Sequence, residues 1–280
     1  MSNRLDPPAQ PLDQAPDRAR RALREGRLAD AASLAREALS VNPGDVVAVQ
    51  ALGHALLMQN RAREAVDALR SSAAHSRDPA VETLLARALA AAGRREEALD
   101  QLRRTTSRRP VFVLAFLELG ELLGRSGRLD AAFDVFSEGL ALAPEAAVLR
   151  VGLGHLLLRR NDRNQARALF AEVLRAAPHR HDATVALAGV MELDGDYAGA
   201  ADLYRNALSA RPAEPTTAIS LGRCLLELGE REAGEAVMKS AVRGAAHAVG
   251  LAIAGLAATP RGRLFVQPSA AARFLGVQTA

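Results

Sequence analysis

The chain has 280 residues with 49% hydrophobic content, enough apolar mass for a large core. Its single cysteine, Cys224, excludes an intramolecular disulfide and a cysteine-based zinc site, and it is read as packed against a neighbouring helix. The formal net charge of +4 and the isoelectric point of about 10.1 invite a polyanionic partner, but nearly all the cations are arginine, with Lys239 the only lysine, which reads as a coding bias.

In chain order, the opening MSNRLDPPAQPLDQAPDR contains no apolar run, so neither a signal peptide nor an anchor is expected there. Its proline and polar content predicts a disordered segment over 1–15, and Pro16 is placed to open a first helix. From there a glycine or asparagine recurs at Gly26, Asn60, Gly93, Gly127, Asn161, Gly195 and Gly229, 34 residues apart except for one step of 33. A fixed period of this size marks a repeat architecture. Seven residues before each turn stands a small residue, as at Gly53, Gly120, Gly154 and Gly222, preceded from the second unit onward by a leucine such as Leu52 or Leu119. Five residues after the turn comes Ala31, Ala65, Ala98, Ala132, Ala166 or Ala200, and then Gly234.

The spacing predicts two short antiparallel helices per unit. Leu119, Gly120 and Leu123 share one helical face, and Ala132, Phe136 and Leu140 share another, so two apolar stripes meet. Gly127 is placed to end the first helix in the left-handed region, which asparagine tolerates next best. Pro43, Pro110, Pro144, Pro178 and Pro212 stand where each second helix must stop, and the second unit shifts its stop to Pro79.

These features together resemble the tetratricopeptide repeat family, whose pattern residues 112–145 meet with Phe116, Leu119, Gly120, Gly127, Ala132, Phe136, Leu140 and Pro144. The resemblance runs over roughly residues 12–247, and it departs from the pattern in having no tryptophan and in placing Arg18 where the first unit should carry leucine. It implies an all-α fold: a right-handed superhelical solenoid of about seven helix-turn-helix repeats over 16–247 with a non-standard C-terminal cap. It also implies a concave face lined by the first helix of each unit, at the residues 13, 10, 6 and 3 before the turn. Among the positions this gives on the sequence, His54, Leu57, Arg87, Leu117, Glu121, Val151, His155, Leu158, Val185, Ile219, Arg223 and Leu226 are expected as peptide-binding residues. Family members that clamp a C-terminal carboxylate use asparagine and lysine on this stripe, and neither is present. The apolar ribbon suits instead a helical or extended segment of another protein, although the same residues would also serve packing between neighbouring units.

At the C-terminal end, 248–280 is expected to form an apolar capping helix and a docking tail. GAAHAVGLAIAGLAATP is apolar nearly all round, with Ala246, Gly250, Ala254 and Ala258 four apart; it falls short of the ~20 apolar residues of a membrane span, so close helix contact is expected instead. In RGRLFVQPSAAARFLGVQ, an extended piece from Leu264 precedes Pro268, Ser269 is placed as the cap of a short helix, and Gly276 ends it. Phe265, Phe274 and Leu275 would cap the last repeat, fill its groove, or dock on a partner or a second copy of the chain.

Two further signals are weighed and set lower. The runs RRTTSRRP and RRNDRNQAR put Arg103, Arg104, Arg108, Arg109, Arg159, Arg160 and Arg163 near inter-helix loops, which offers a nucleic-acid or polyanion alternative; the aromatic platforms for stacked bases are missing. His179 and His181 in PHRHD are placed in a loop beside one acid, a poor metal set. No nucleophile, base and orienting residue form a local arrangement. The expectation is a cytoplasmic, non-catalytic scaffold or adaptor without cofactor, with an accessory subunit of a larger enzyme or secretion assembly as a further alternative.

Overall fold

A computed structural model of the chain describes residues 15–243, 245–259, 262–263 and 267–276. Of the lead-in expected over 1–15, residues 1–14 lie outside the described residues, and Ala15 is already the buried first residue of a helix. Among the described residues there are sixteen α-helices and no strand. They pair as α1 (Ala15–Arg24) with α2 (Leu28–Val41), α3 (Val46–Met58) with α4 (Ala62–Ser76), α5 (Pro79–Ala91) with α6 (Arg95–Thr106), and α7 (Val113–Arg125) with α8 (Leu129–Leu142). There follow α9 (Ala147–Arg159), α10 (Arg163–Ala176), α11 (His181–Leu193), α12 (Tyr197–Ala210), α13 (Pro215–Glu227) and α14 (Arg231–Val242). The last helices among the described residues are α15 (Val249–Ala258) and α16 (Pro268–Leu275). It divides into two compact units between Gly152 and Leu153.

Each turn is built as the glycine and asparagine spacing dictates. Gly26, Asn60, Gly93, Gly127, Asn161, Gly195 and Gly229 all take positive φ, from 59° to 88°. The residue after each returns its N–H to a carbonyl in the last turn of the preceding helix, as Arg128 does to Leu123 at 3.0 Å and Glu230 to Leu225 at 2.8 Å. That bond satisfies a helix-end acceptor and fixes the reversal. In four of the turns the residue opening the second helix is an arginine, and three of these pair with an acid three residues on: Arg27 with Asp30, Arg61 with Glu64 and Arg94 with Glu97, at 2.6–2.7 Å.

The second helices stop two residues before Pro43, Pro144, Pro178 and Pro212. Pro79 does something else: α4 ends at Ser76, Arg77 takes a left-handed φ of 49°, and Pro79 is the first residue of α5 with Asp78 capping it. Proline is tolerated there because a first-turn N–H has no partner to lose.

In the first unit, residues up to Gly152, α3 packs on α4 and on α5, and α5 on α6 and α7, so each hairpin lies against the next. Phe116 and Phe136 are among its fully buried side chains. A Cβ on Gly120 would stand 2.6 Å from the Phe136 ring, which is why the crossing carries glycine.

In the second unit α11 packs on α12 and α13, and α13 on α14 and α15. Helix α15 thus takes the place of one more first helix, and α16, packed on α14 and α15, that of its partner. Ile219, Leu226, Met238, Val242, Ala252, Leu256 and Leu275 share one core here. The small-residue stripe of α15 is not the contact face. Gly250, Ala254 and Ala258 are exposed, and the buried side is Ala252, Gly255 and Leu256. The expected cap at Ser269 is also displaced: Gln267 opens α16 and Pro268 is its first residue, while Gly276 ends it at a φ of 73°. No helix among the described residues is long and apolar enough to cross a membrane.

Candidate functional site

The twelve stripe residues fall into three environments. In the first unit, His54, Leu57 and Leu117 are half-buried, and Arg87 and Glu121 are exposed. Arg87 meets Glu118 at 3.3 Å, and Glu121 accepts from Arg125 at 3.2 Å, so the charges of this face are matched locally. Burial, followed by the nearby Arg87 cation, pulls the His54 imidazole below its ordinary value. Val151 is buried.

In the second unit, His155 is exposed, and Leu158, Val185 and Arg223 are half-buried. Ile219 and Leu226, at 1% and 0% exposure, sit in the core beneath α15 instead of on a surface.

The half-buried and exposed members of the second unit line one open cleft of about 750 Å³. Helix α9 brings His155 and Leu158, α11 brings Asp182, Val185, Ala186, Gly189, Glu192 and Leu193, and α13 brings Arg223 and Glu227. The end of α15 closes one side with Ala258 and Thr259. Several lining residues are not on the first-helix stripe at all: Tyr197 and Tyr204 come from α12, and Arg211 and Glu214 from the connection into α13. These are the chain's only two tyrosines, and their joint presence on one wall was the available signal.

A polar network holds this wall. The Glu192 carboxylate accepts from the Tyr204 hydroxyl at 3.0 Å and from Arg223, which approaches to 2.8 Å. Burial pushes the Glu192 carboxyl up, against the opposing pull of Arg223 and Tyr204, and burial with the Glu192 charge pushes the Tyr204 phenol up. Next to them, His181 bonds Glu214 at 2.6 Å, and Glu214 also accepts from Thr217 at 2.7 Å. Burial raises the Glu214 carboxyl, but the bonds from Thr217 and His181 outweigh it and hold the group below the ordinary value. His181 is therefore the first residue of α11 and a partner of an acid, not a loop histidine beside His179. No group of three or more metal-ligating side chains is found among the described residues.

Cys224 is fully buried in the core that contains Tyr204 and Leu225, and burial pushes its thiol up to about 12. A thiol so held is not a nucleophile near neutral pH.

Of the tail residues, Leu275 is buried against the last hairpin, and Phe274 packs on the same core with the Lys239 ammonium 3.9 Å from its ring centre. Phe265 lies outside the described residues, as does Leu264. The arginine runs are largely engaged within the chain. Arg103 pairs with Asp100 at 2.9 Å, Arg108 with the buried Glu82 at 2.6 Å, and Arg163 donates to the Leu193 carbonyl at 2.8 Å.

Two family models described as tetratricopeptide repeat match the chain, one over residues 22–87 and 193–251, the other over 83–147 and 151–215. Among solved structures, a tetratricopeptide repeat protein from Parabacteroides merdae is similar at 17% identity and a TM-score of 0.61, over 82% of this chain and 91% of that one. A thermophilic protein of the same repeat class from Thermus thermophilus is similar at 23% identity and a TM-score of 0.56, over 65% of this chain and 99% of that one. No curated protein matches the chain.

Proposed function

Because the chain belongs to the tetratricopeptide repeat family, we propose that it is a non-catalytic scaffold that holds a segment of another protein in the cleft lined by α9, α11 and α13. The observation that carries this reading is Gly189. A glycine inside a helix costs about 1 kcal/mol relative to alanine, so it needs a local reason. At Gly53, Gly120, Gly154 and Gly222 the reason is packing, since a Cβ would collide with a neighbouring side chain. At Gly189 the nearest atom a Cβ would meet is the Tyr204 hydroxyl at 3.7 Å, an ordinary contact. What the missing side chain provides is depth in the cleft, where an entering segment can reach Val185 and Ala186.

The occupant is an apolar or amphipathic segment, because Leu158, Val185, Ala186 and Leu193 supply apolar surface between the polar walls. Tyrosine and arginine at the same place fit a binding surface, where both residue types are enriched. The polyanion alternative has less support, since Arg103, Arg108 and Arg163 are already committed to partners within the chain.

A photo-crosslinking residue at the exposed Leu193 tests the reading in the native cell. The expected result is a discrete protein adduct that disappears in Gly189→Phe. An adduct pattern unchanged by Gly189→Phe, or the same pattern from a probe at the exposed Asp134, would remove the cleft as the binding site.

A further inference from the structure

Helix α15 lacks the polar outer surface that a terminal element of a repeat stack needs in water. Its sequence, VGLAIAGLAA, makes it the only one of the described helices with no polar side chain. Its open side is Gly250, Leu251, Ala254, Ala257 and Ala258, with Leu251 44% exposed. The first helix of the first unit is different, since α1 presents Asp17, Arg20, Arg21 and Arg24 to solvent.

The repeat register says what this side of α15 is. A step of 35 residues carries the buried Thr217 and Cys224 of α13 onto the buried Ala252 and Thr259. The same step carries Ile219 and Arg223 onto Ala254 and Ala258. On α13 this is the stacking face, where Ile219 is 1% exposed in the core that α15 shares. On α15 the corresponding Ala254 and Ala258 are exposed, so the stacking face of the last first helix is left open.

Gly250 is an independent sign. A Cβ there would meet nothing within 4 Å, whereas at Gly255, on the buried side, it would come to 3.2 Å from the Arg223 and Met238 side chains. Packing within the chain therefore explains Gly255 and not Gly250. A glycine with no internal neighbour fits a place that another backbone approaches closely. Gly250, Ala254 and Ala258 stand four apart on one face, which lets a second helix axis come in to about 8 Å.

We infer that this side of α15 is a self-association surface, and that its occupant is α15 of a second copy of the chain, related by a two-fold axis. Self-complementarity is the argument: a face of small residues around one leucine, without charge, matches an identical face, and a two-fold contact puts the same patch on both sides. No other described helix is free of polar side chains. Stacking α1 there instead would desolvate its exposed arginines against an apolar face. One side of a ten-residue helix buries less than the roughly 800 Å² per partner of a stable complex, so the dimer is a weak one. Ala258 also lines the cleft, so the pairing borders the binding site.

The test is sedimentation equilibrium of the full chain across the micromolar range. The expected result is a monomer–dimer equilibrium with a dissociation constant of about 10–100 μM that salt does not weaken. Leu251→Glu should weaken it by about tenfold or more with the helical spectrum unchanged, while Asp134→Lys leaves it alone. A second variant leaves the face uncharged: Ala254→Cys should give a disulfide-linked dimer on mild oxidation, and Asp134→Cys should not. Cys224 does not compete, because it is buried and its thiol is pushed up to about 12. If Leu251→Glu alters the fold, the Ala254→Cys disulfide decides. A monomer throughout, a dimer indifferent to Leu251→Glu, or a dimer that forms no Ala254→Cys disulfide overturns the inference. A dimer lost equally in Arg21→Glu would mean that α1 stacks on α15, and overturns the two-fold pairing.

Discussion

The Tyr204 hydroxyl donates to the Glu192 carboxylate at 3.0 Å, joining α12 to α11 at the wall of the cleft while Arg223 of α13 approaches the same carboxylate at 2.8 Å. Three helices are thereby tied by one acid whose charge burial disfavours. Tyr204→Phe removes the hydroxyl and keeps the ring in its buried place. Because the acceptor is charged, the expected loss is about 1.5–3 kcal/mol, read from urea unfolding. A loss under about 0.5 kcal/mol would mean that Arg223 alone satisfies the carboxylate.

Two glycines inside first helices should respond to one substitution with opposite signs. Gly189→Ala places a methyl in ordinary contact and removes a helix-weakening residue, so stability should rise by about 0.5–1 kcal/mol. Gly120→Ala drives a Cβ to 2.6 Å from the Phe136 ring, so it should cost about 1–3 kcal/mol. Denaturant midpoints of the two variants beside wild type decide this. Destabilisation in both would show that Gly189 is held by packing and not by the cleft.

The repeat was legible because its signals are local. Gly127 or Asn161 at a turn reports a backbone angle that most residues resist, and that report needs no knowledge of the rest of the chain. Pro79 misled because proline fits both the end of one helix and the start of the next. The stripe of candidate site residues was legible only as a direction around each helix. Whether that direction meets water depends on what lies over it, and for Ile219 and Leu226 the answer is the core that α15 shares. Helix α15 is apolar nearly all round, so its sequence could not say which side faces inward, and the stripe through Gly250 and Ala254 turns out to be the exposed one. Tyr204 and Glu214 were missed for a related reason: they reach the cleft from outside the first-helix stripe.

Leu158 and Leu226 occupy the same register in different repeats and should separate binding from stability. Leu226 is fully buried, so Leu226→Ala should cost about 2–5 kcal/mol and lower the melting midpoint clearly. Leu158 is half-buried on the cleft, so Leu158→Asp should cost no more than about 1 kcal/mol while abolishing adducts from a Leu193 probe. If Leu158→Asp unfolds the chain, that leucine belongs to the core and the cleft floor is smaller than described.

The last hairpin should be an acid-sensitive part of the second unit. Glu235 of α14 accepts from Arg263 at 2.6 Å and from Arg231 at 3.0 Å, which ties the segment after α15 back to α14. Burial pushes this carboxyl up, but the two guanidinium groups outweigh it and hold the group below its ordinary value of 4.5. A depressed folded value means that the carboxylate's contribution is complete above the unfolded value and is lost as pH falls through the folded one. Between about pH 5 and about pH 3 the unfolding midpoint of wild type should therefore drop more steeply than that of Glu235→Gln, with the two profiles approaching each other at the acid end. Parallel profiles would mean that the Arg231 and Arg263 contacts add nothing to stability and that Leu275 and Leu256 hold the cap by burial alone.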